Sequence, residues 1–551
     1  VCGIVGIMSQ RGAHINPMKY LDRIRSRGPN EIGQCQFDLG PRTLSLAMAR
    51  LSIIDFNAIG VPYRYPDLDV CLVMNGEIFN WIELASRYNL KLKTACDAEV
   101  VAHLWRMFGP SMLEKLNGMF AIALHDTRTQ TTFLARDRAG IKPLYYCESG
   151  DRTVFASEIK ALPTKLIQKP CSDYEVFEFD CLEETMFEGV RRFLPGYYGI
   201  IGTDGRLKTY KWWSLPMDTL DIDEEEATPH LLNLLQDSIS LRWPKSEPAA
   251  IMLSGGLDSS IIQNIVDSSN LYCVSFPEID NHSIALKASN GKHVHKITFD
   301  REELESSLER VAYALDTPAT WTAVCEYFLF QKIADDGIRI ALSGEGADEI
   351  FHGYTRYRLL HWLERSKTDI LLKDYAPTRE FLHGTDTSIL TRLLNRGSTP
   401  KSIERAFDIV ERHCDPSLSL VRNMARIEFH TTMQVLLRMP DRMAGLHSME
   451  NRTPFLDYRI MEFGTRLPDH LKMNDLASKD ILRKVSSDLG LHPDIICETT
   501  KRGLAIPFAS WYGPTGGNRG KWDRSVFKKM MFDAWAKVFK ENTSCRFPSS
   551  Q

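Results

Sequence analysis

Between Ala249 and Gly344 the chain alternates short apolar runs with helix-patterned ones: AAIMLS, SSIIQNIVDSS, LYCVSF, HKITF, REELESSLERVAYALD and IRIALSG. No other feature limits the fold as tightly. Strands that read as unbroken apolar runs are buried on both faces, and strands joined through helices pair in parallel. The expected unit is an α/β, doubly wound parallel sheet with helices on both faces. Such sheets bind ligands at the carboxyl ends of their strands.

The residues before Tyr210 read differently. Short β-branched and aromatic runs follow one another: CGIVGIM, LDVCLVMNGEIF, GMFAIALHD, TTFLARD, PLYYCES, RTVFASE and GYYGIIG. Turn residues separate them, and CDAEVVAHLWRMFG reads as a helix that stops at its glycine. This predicts an α+β domain built on mostly antiparallel sheets. A proline and an acidic run in YKWWSLPMDTLDIDEEEATP mark a linker, and a helix opens from EEEATP. The expected division is a first domain over 1–210, a linker over 211–228, a second domain over 229–515 and a tail over 516–551. From about Phe351 the chain is helix-rich. The basic, glycine-containing tail after Pro514 is expected to be poorly ordered.

Composition excludes several classes. Lysine plus arginine is 67 against 71 acids, a net charge of -4 over 551 residues, which argues against a bulk nucleic-acid binder. The 12 cysteines are spread singly with no CxxC, so a reduced, cytoplasmic chain is expected and not a disulfide scaffold or zinc protein. No apolar run is long enough to span a bilayer, and the N-terminus lacks the pattern of a secretory signal.

Two turns carry the chemistry. SGGLDSS lies between a buried strand and a helix. Small residues let backbone N–H groups approach an anion, and the helix N-terminus adds positive potential. Ser254, Gly255, Gly256, Ser259 and Ser260 can therefore cradle phosphate oxygens. The lysine of a Walker loop is missing, and Asp258 stands there instead; an acid among phosphates implies a divalent ion, Mg2+. The second turn, LSGEGADE, also follows a buried strand and supplies Glu345, Asp348 and Glu349. Two such turns at parallel strand ends can face one site.

With MENRTPFLDYR and the N-terminal CGI, these turns resemble the glutamine-dependent asparagine synthetase family over most of the chain, from Cys2 to about Phe508. SGGLDSS looks like the PP-loop of ATP pyrophosphatases. The resemblance implies an N-terminal Ntn-hydrolase sandwich of antiparallel sheets between helices. It also implies a C-terminal adenine nucleotide alpha-hydrolase-like domain with added helices. It implies glutamine, ATP and a carboxylic acid acceptor as reactants, with ATP and Mg2+ required. Cys2 would attack the glutamine amide, its own α-amine acting as base. Arg50 would hold the substrate carboxylate, Asn75 and Gly76 the oxyanion, and Glu77 and Asp97 the ammonium group. On the ATP side, Leu253, Val274 or Ser275 would line the adenine, with Gly346 as a nearby backbone contact. Asp258 and Asp348 would hold magnesium, Glu345 would take a proton from ammonia, and Lys501 in TTKRGLAIPF would stabilise transition-state charge. Ammonia would pass between the domains inside the protein. Arg442, Glu450 and Arg452 near that interface read as structural ion pairs.

Three departures from the family pattern stand out. Val1 precedes Cys2, so the amine chemistry requires its removal, or a start codon read literally as valine. Asn30 replaces an aspartate in SRGPN, a mild change. His352 replaces a glycine in FHGY, and the stretch SFPEIDNHSIALKASNGKHVHKITF is short and lacks an acidic pair. These last changes lie where an acceptor could bind. Aspartate is the expected acceptor, with a natural-product, hydroxamate-forming or cell-envelope sugar acid as the alternative. A degenerate regulatory protein and an RNA-modifying ATP pyrophosphatase compete with this reading, but Cys2, Arg50, Asn75 and Asp97 together, the near-neutral charge and the lack of CxxC oppose them. His293 and His295 alternate along a strand, which suggests one sheet face and not a metal pair. No nucleic acid or membrane partner is expected, and a homodimer is left open.

Overall fold

The computed structural model describes residues 1–13, 15–53, 60–169, 174, 179–180, 182–365, 412–474, 477–498, 504–513 and 525–541. Two six-stranded sheets build the first domain. One orders its strands Val190–Arg192, Tyr145–Ser149, Arg152–Ala156, Gly3–Gln10, Arg42–Arg50 and Glu31–Asp38. The other orders Leu207–Lys211, Tyr197–Ile201, Thr131–Arg136, Gly118–Asp126, Val70–Ile78 and Tyr63–Tyr65. The pairs whose register is defined are all antiparallel. Apolar side chains such as Ile4, Met48, Leu72 and Ile122 share one core. Gly3–Gln10 is central in its sheet, flanked by Arg42–Arg50 and Arg152–Ala156, so Cys2 just before it is held inside the domain. The helix Asp97–Phe108 ends at Gly109, whose φ of 55° is the left-handed turn its sequence predicts.

The second domain carries a five-stranded sheet ordered Val294–Ile297, Leu271–Val274, Ala249–Met252, Ile340–Leu342 and Glu450–Arg452. Every pairing is parallel. The fifth strand lies within MENRTPFLD, in the part of the chain expected to be helix-rich. Glu450–Arg452 pairs with Ile340–Leu342 because Glu450 N–H donates to the Arg339 carbonyl at 2.8 Å. The helix Glu224–Arg242 opens inside the stretch expected as linker. Asp223 caps it, accepting from Glu226 N–H at 3.0 Å.

The tail also needs correction. Ser525–Glu541 is a helix that packs on the helix Arg301–Leu315. Buried Trp535 anchors it, donating from Nε1 to the Asp316 carbonyl at 3.0 Å. Burying an indole against a core offsets the polar, glycine-containing sequence before it. Among the described residues no helix is long and apolar enough to cross a membrane.

Candidate functional site

The first pocket forms around Cys2. Its backbone N–H donates to Asn75 Oδ1 at 2.9 Å. That leaves Asn75 Nδ2 buried with no hydrogen-bond partner among the described residues. An amide donor kept unpaired beside a thiol is what a developing oxyanion requires. Gly76 follows with a φ of 137°, and a Cβ there would lie 1.9 Å from the Met119 carbonyl oxygen. No other residue fits this turn of the strand.

Arg50 lies on the same side, within the fields of Tyr63, Cys96, Glu31 and Cys2. It pairs with Glu31 at 2.8 Å. Asp97 accepts from Ile78 N–H at 2.8 Å, and burial pushes its carboxyl up to about 6. Cys2, Arg50, Asn75, Gly76 and Asp97 therefore do come together. Tyr63, Cys96 and Glu31 join them, and sequence reasoning missed all three. Asn30 still accepts a backbone hydrogen bond, from Ser52 N–H at 2.9 Å, as an aspartate would.

Glu77, expected to bind the substrate ammonium group, is already engaged by another cation. It faces the second domain and is ion-paired with Arg452. Burial pushes its carboxyl up to about 8, with Arg452 opposing. Arg452 also binds Glu450 Oε1 at 2.9 Å and the Arg242 carbonyl at 2.7 Å. Glu450 Oε2 lies 3.0 Å from the Val1 amine. A second bridge starts at Arg27 of SRGPN. It binds the Cys2 carbonyl at 3.0 Å, Glu158 at 2.8 Å and Asp441 at 2.9 Å. Arg442 completes that cluster, 2.8 Å from Glu158. Arg442, Glu450 and Arg452 are thus ion-paired, and they join the two domains.

Removing one member of a buried pair strands its partner's charge. Arg452→Met should therefore lower stability by about 3–5 kcal/mol. Urea unfolding checks this; a change within about 0.5 kcal/mol would show the interface is not held by this arginine.

The second pocket lies at the carboxyl edge of the parallel sheet. The turn after Ala249–Met252 leads through Ser254 and Gly255 into the helix Leu257–Val266. Gly255 has a φ of 75°, and a Cβ would lie within 2.8 Å of Ile284 and Ala285. Hydroxyls organise the turn. Ser254 Oγ accepts from Gly256 N–H at 3.2 Å, and Ser259 and Ser260 donate to the Gly256 carbonyl at 3.2 and 2.8 Å. The second turn packs directly against it: a Cβ on Gly344 would lie 2.8 Å from Asp258 Cβ. The two turns predicted to face one site do so.

One residue that sequence reasoning missed binds them together. Lys479 Nζ lies 2.6 Å from Asp258 and 2.8 Å from Asp348. Burial opposes the lysine's charge, but the two carboxylates outweigh it and raise its pKa. Gly353 makes room, since a Cβ there would lie 1.9 Å from Asp348 Oδ1 and 2.3 Å from Lys479 Cε. Lys479 has a φ of 57°, just before the helix Asp480–Asp488, and no local motif marks it. Lys501 lies outside the described residues.

Glu345 sits in the second turn. Burial raises its pKa, and Asp258 adds to this. Its Oε2 is buried without a partner among the described residues. Leu253 and Val274 are buried in the sheet beneath the turn. Ser275 accepts from His282 N–H at 3.2 Å. Gly346, with a φ of 90°, approaches Leu456 so closely that a Cβ would lie 2.2 Å from its Cδ2.

His352 occupies the left-handed region, with a φ of 56°. It is buried, and its ring stacks on Tyr357 at 4.8 Å. Burial and nearby Lys472 and Arg422 hold the imidazole neutral. His293 and His295 meet edge to face at 4.8 Å. Within the helix-rich part after Phe351, residues 366–411 lie outside the described residues.

Each domain matches a known family. The asparagine synthase family matches residues 230–526, and a glutamine amidotransferase domain matches 1–213. An asparagine synthetase [glutamine-hydrolyzing] 1 of Bacillus subtilis (strain 168) is 28% identical, covering 97% of this chain and 91% of its own. The asparagine synthetase [glutamine-hydrolyzing] 3 of the same organism is 25% identical over 90% and 85%. The amidase chyE of Penicillium rubens is 28% identical over 84% and 80%.

Proposed function

Since the chain belongs to the asparagine synthase family of glutamine-hydrolysing ligases, we propose that it moves ammonia from glutamine at Cys2 to an acid adenylated at the paired turns. The observation that carries this is the pairing of two prepared sites. Cys2 stands beside an unpartnered Asn75 amide, and Asp258 and Asp348 converge on Lys479.

At the first site the Cys2 sulfur attacks the glutamine amide carbon. The carbonyl oxygen gains charge and takes a hydrogen bond from Asn75 Nδ2. The nitrogen leaves as ammonia, and water then releases glutamate from the thioester. Arg50 and Asp97 hold the substrate's carboxylate and ammonium. The base must be a free α-amine on Cys2. Active enzyme should therefore show Cys2 as its first residue by intact mass; an active glutaminase with Val1 still attached would sink the amine-base step.

Asp97 can hold an ammonium only when ionised, and its carboxyl titrates at about 6. KM for glutamine should therefore rise as pH falls through that value. Asp97→Asn should weaken glutamine at every pH and flatten this dependence. A wild-type KM that stays level from pH 7 to 5, measured by glutamate release, would exclude the role.

At the second site the acceptor carboxylate attacks the α-phosphorus of ATP and pyrophosphate leaves. Ammonia then attacks the acyl carbon, Glu345 takes its proton, and AMP departs. Lys479 lies where negative charge accumulates on the phosphates. The oxygen donors Asp258 and Asp348 suit magnesium, which bound with ATP would neutralise pyrophosphate charge. Ammonia would travel between the domains past the Arg452 and Arg27 bridges.

Aspartate is the acceptor this family membership favours, and asparagine the product. The similarity to the amidase chyE supports the second reading, a specialised acid. Incubation with MgATP, glutamine and a panel of carboxylic acids tests the scheme. AMP and pyrophosphate should form with the true acceptor; ADP would rule out adenylation.

A further inference from the structure

The strands Glu31–Asp38 and Val70–Ile78 belong to different sheets of the first domain. Along Glu31–Asp38 the odd-numbered residues are shielded and the even-numbered ones exposed, so one face turns into the sandwich. Cys35 on that face is 5% exposed, and Cys71 on the other strand is 2% exposed. Their sulfurs stand 3.5 Å apart. A buried cysteine usually serves as a small apolar side chain. That role does not require two sulfurs to face each other.

The pair also has the polarity of a reactive thiol and its partner. The Cys71 thiol donates to Cys35 and holds Cys35 below the ordinary thiol range; Arg64 adds to this, and burial opposes it. The same bond, together with burial, raises Cys71. Arg64 is directly opposite Cys71, on Tyr63–Tyr65. Thiols beside a cation are the ones that oxidise readily. Glu31–Asp38 and Tyr63–Tyr65 are the end strands of their sheets, which puts the pair near the open rim of the sandwich.

Both strands run from this pair to the glutamine pocket. Glu31 stands four residues before Cys35 and binds Arg50 at 2.8 Å. Asn75 stands four residues after Cys71 and accepts from Cys2 N–H at 2.9 Å. Residues four apart share a strand face, and at about 3.3 Å per residue each lies about 13 Å from the sulfurs.

We propose that Cys35 and Cys71 are a modification site, where a hydroperoxide joins them in a reversible disulfide that ties the two sheets together and weakens glutamine binding at Arg50. The Cys35 sulfur attacks one peroxide oxygen, the O–O bond breaks, and the hydroxide released takes the Cys35 proton as water. The Cys71 sulfur then attacks the sulfenic sulfur. The S–S bond forms, the S–O bond breaks, and hydroxide leaves with the Cys71 proton as a second water. The thiols give up two electrons and the peroxide takes them. Bonded sulfurs lie closer than 3.5 Å, so the end strand is drawn inward and Glu31 moves with it. Arg50, paired with Glu31 in both backbone register and side chain, is shifted from the substrate carboxylate. The inference rests on glutamine being held at Arg50, as given above.

The test treats the full chain with hydrogen peroxide and follows glutamate release across glutamine concentrations. Tryptic digestion without reductant should show residues 28–42 joined to 65–87, lighter by two hydrogens than the two thiol peptides; each holds one cysteine. KM for glutamine should rise about tenfold, and dithiothreitol should restore it. Peroxide also oxidises Cys2, but that removes active enzyme and lowers kcat, in variants as in the parent. In Cys35→Ser and Cys71→Ser, KM should stay within about twofold of its untreated value. Absence of the joined peptides overturns the inference, as does a joined pair with unchanged KM or an equal KM rise in C35S and C71S. If the serine variants misfold, reversal of the parent's KM rise by dithiothreitol supports the inference and a rise that persists overturns it. No glutamate release from the reduced parent overturns both the glutamine reading and the inference.

Discussion

Replacing Cys2 with alanine should abolish glutamine-dependent synthesis while ammonium chloride still supports it. The sulfur is the atom that attacks the amide, so glutamate release should fall by about 1,000-fold or more. The second pocket is built from other residues. Its turns pack on each other, and Lys479 holds both acids from within the second domain. Nothing in that pocket uses the thiol. Ammonia-dependent pyrophosphate release should stay within about threefold of the parent, because Cys2→Ala removes one buried sulfur and keeps the backbone bond to Asn75. The two rates are measured on one preparation, by glutamate and by pyrophosphate. Equal loss of both would refute two separate sites. Survival of glutamate release would remove Cys2 as the nucleophile.

The sequence carried much of the frame, for a physical reason. Strands such as Val70–Ile78 and Gly118–Asp126 are long, apolar and bounded by turns, so local pattern alone reveals them. The phosphate turns are legible because their glycines meet a local demand: Gly255 and Gly346 both have positive φ. Glu450–Arg452 shows the opposite case. Three polar residues have no periodicity, and their strand exists only because Ile340–Leu342 offers an edge. Lys479 was hidden in the same way. Its partners Asp258 and Asp348 are remote in sequence, and its left-handed backbone carries no motif. Glu77 was read from its neighbours Asn75 and Gly76, whereas its ion-pair partner Arg452 comes from the other domain. What local pattern misses is the set of long-range charge contacts, of which those of Arg452 with Glu77 and Arg27 with Asp441 join the two domains.

Lys479→Met should be the most damaging single change in the second pocket. The parent lysine offers one ammonium to two carboxylates and lies where the phosphates of ATP would gather. Removing a preorganised positive group from such a site costs about 100–1,000-fold in turnover. Ammonia-dependent pyrophosphate release should fall by that factor, with most of the loss in kcat. Glutamate release should persist, since Lys479 makes no contact with the first pocket. Lys479→Arg should recover only part of the rate. A guanidinium carries the charge but is broader, and Gly353 already approaches Lys479 Cε too closely for a Cβ. The same geometry predicts a second effect. Without the lysine, Asp258 and Asp348 repel each other across the paired turns. Magnesium chloride alone should then raise the melting temperature of K479M by several degrees more than that of the parent. Equal magnesium shifts in both proteins would separate the lysine from the metal-binding acids, and an undiminished synthesis rate would remove it from the reaction.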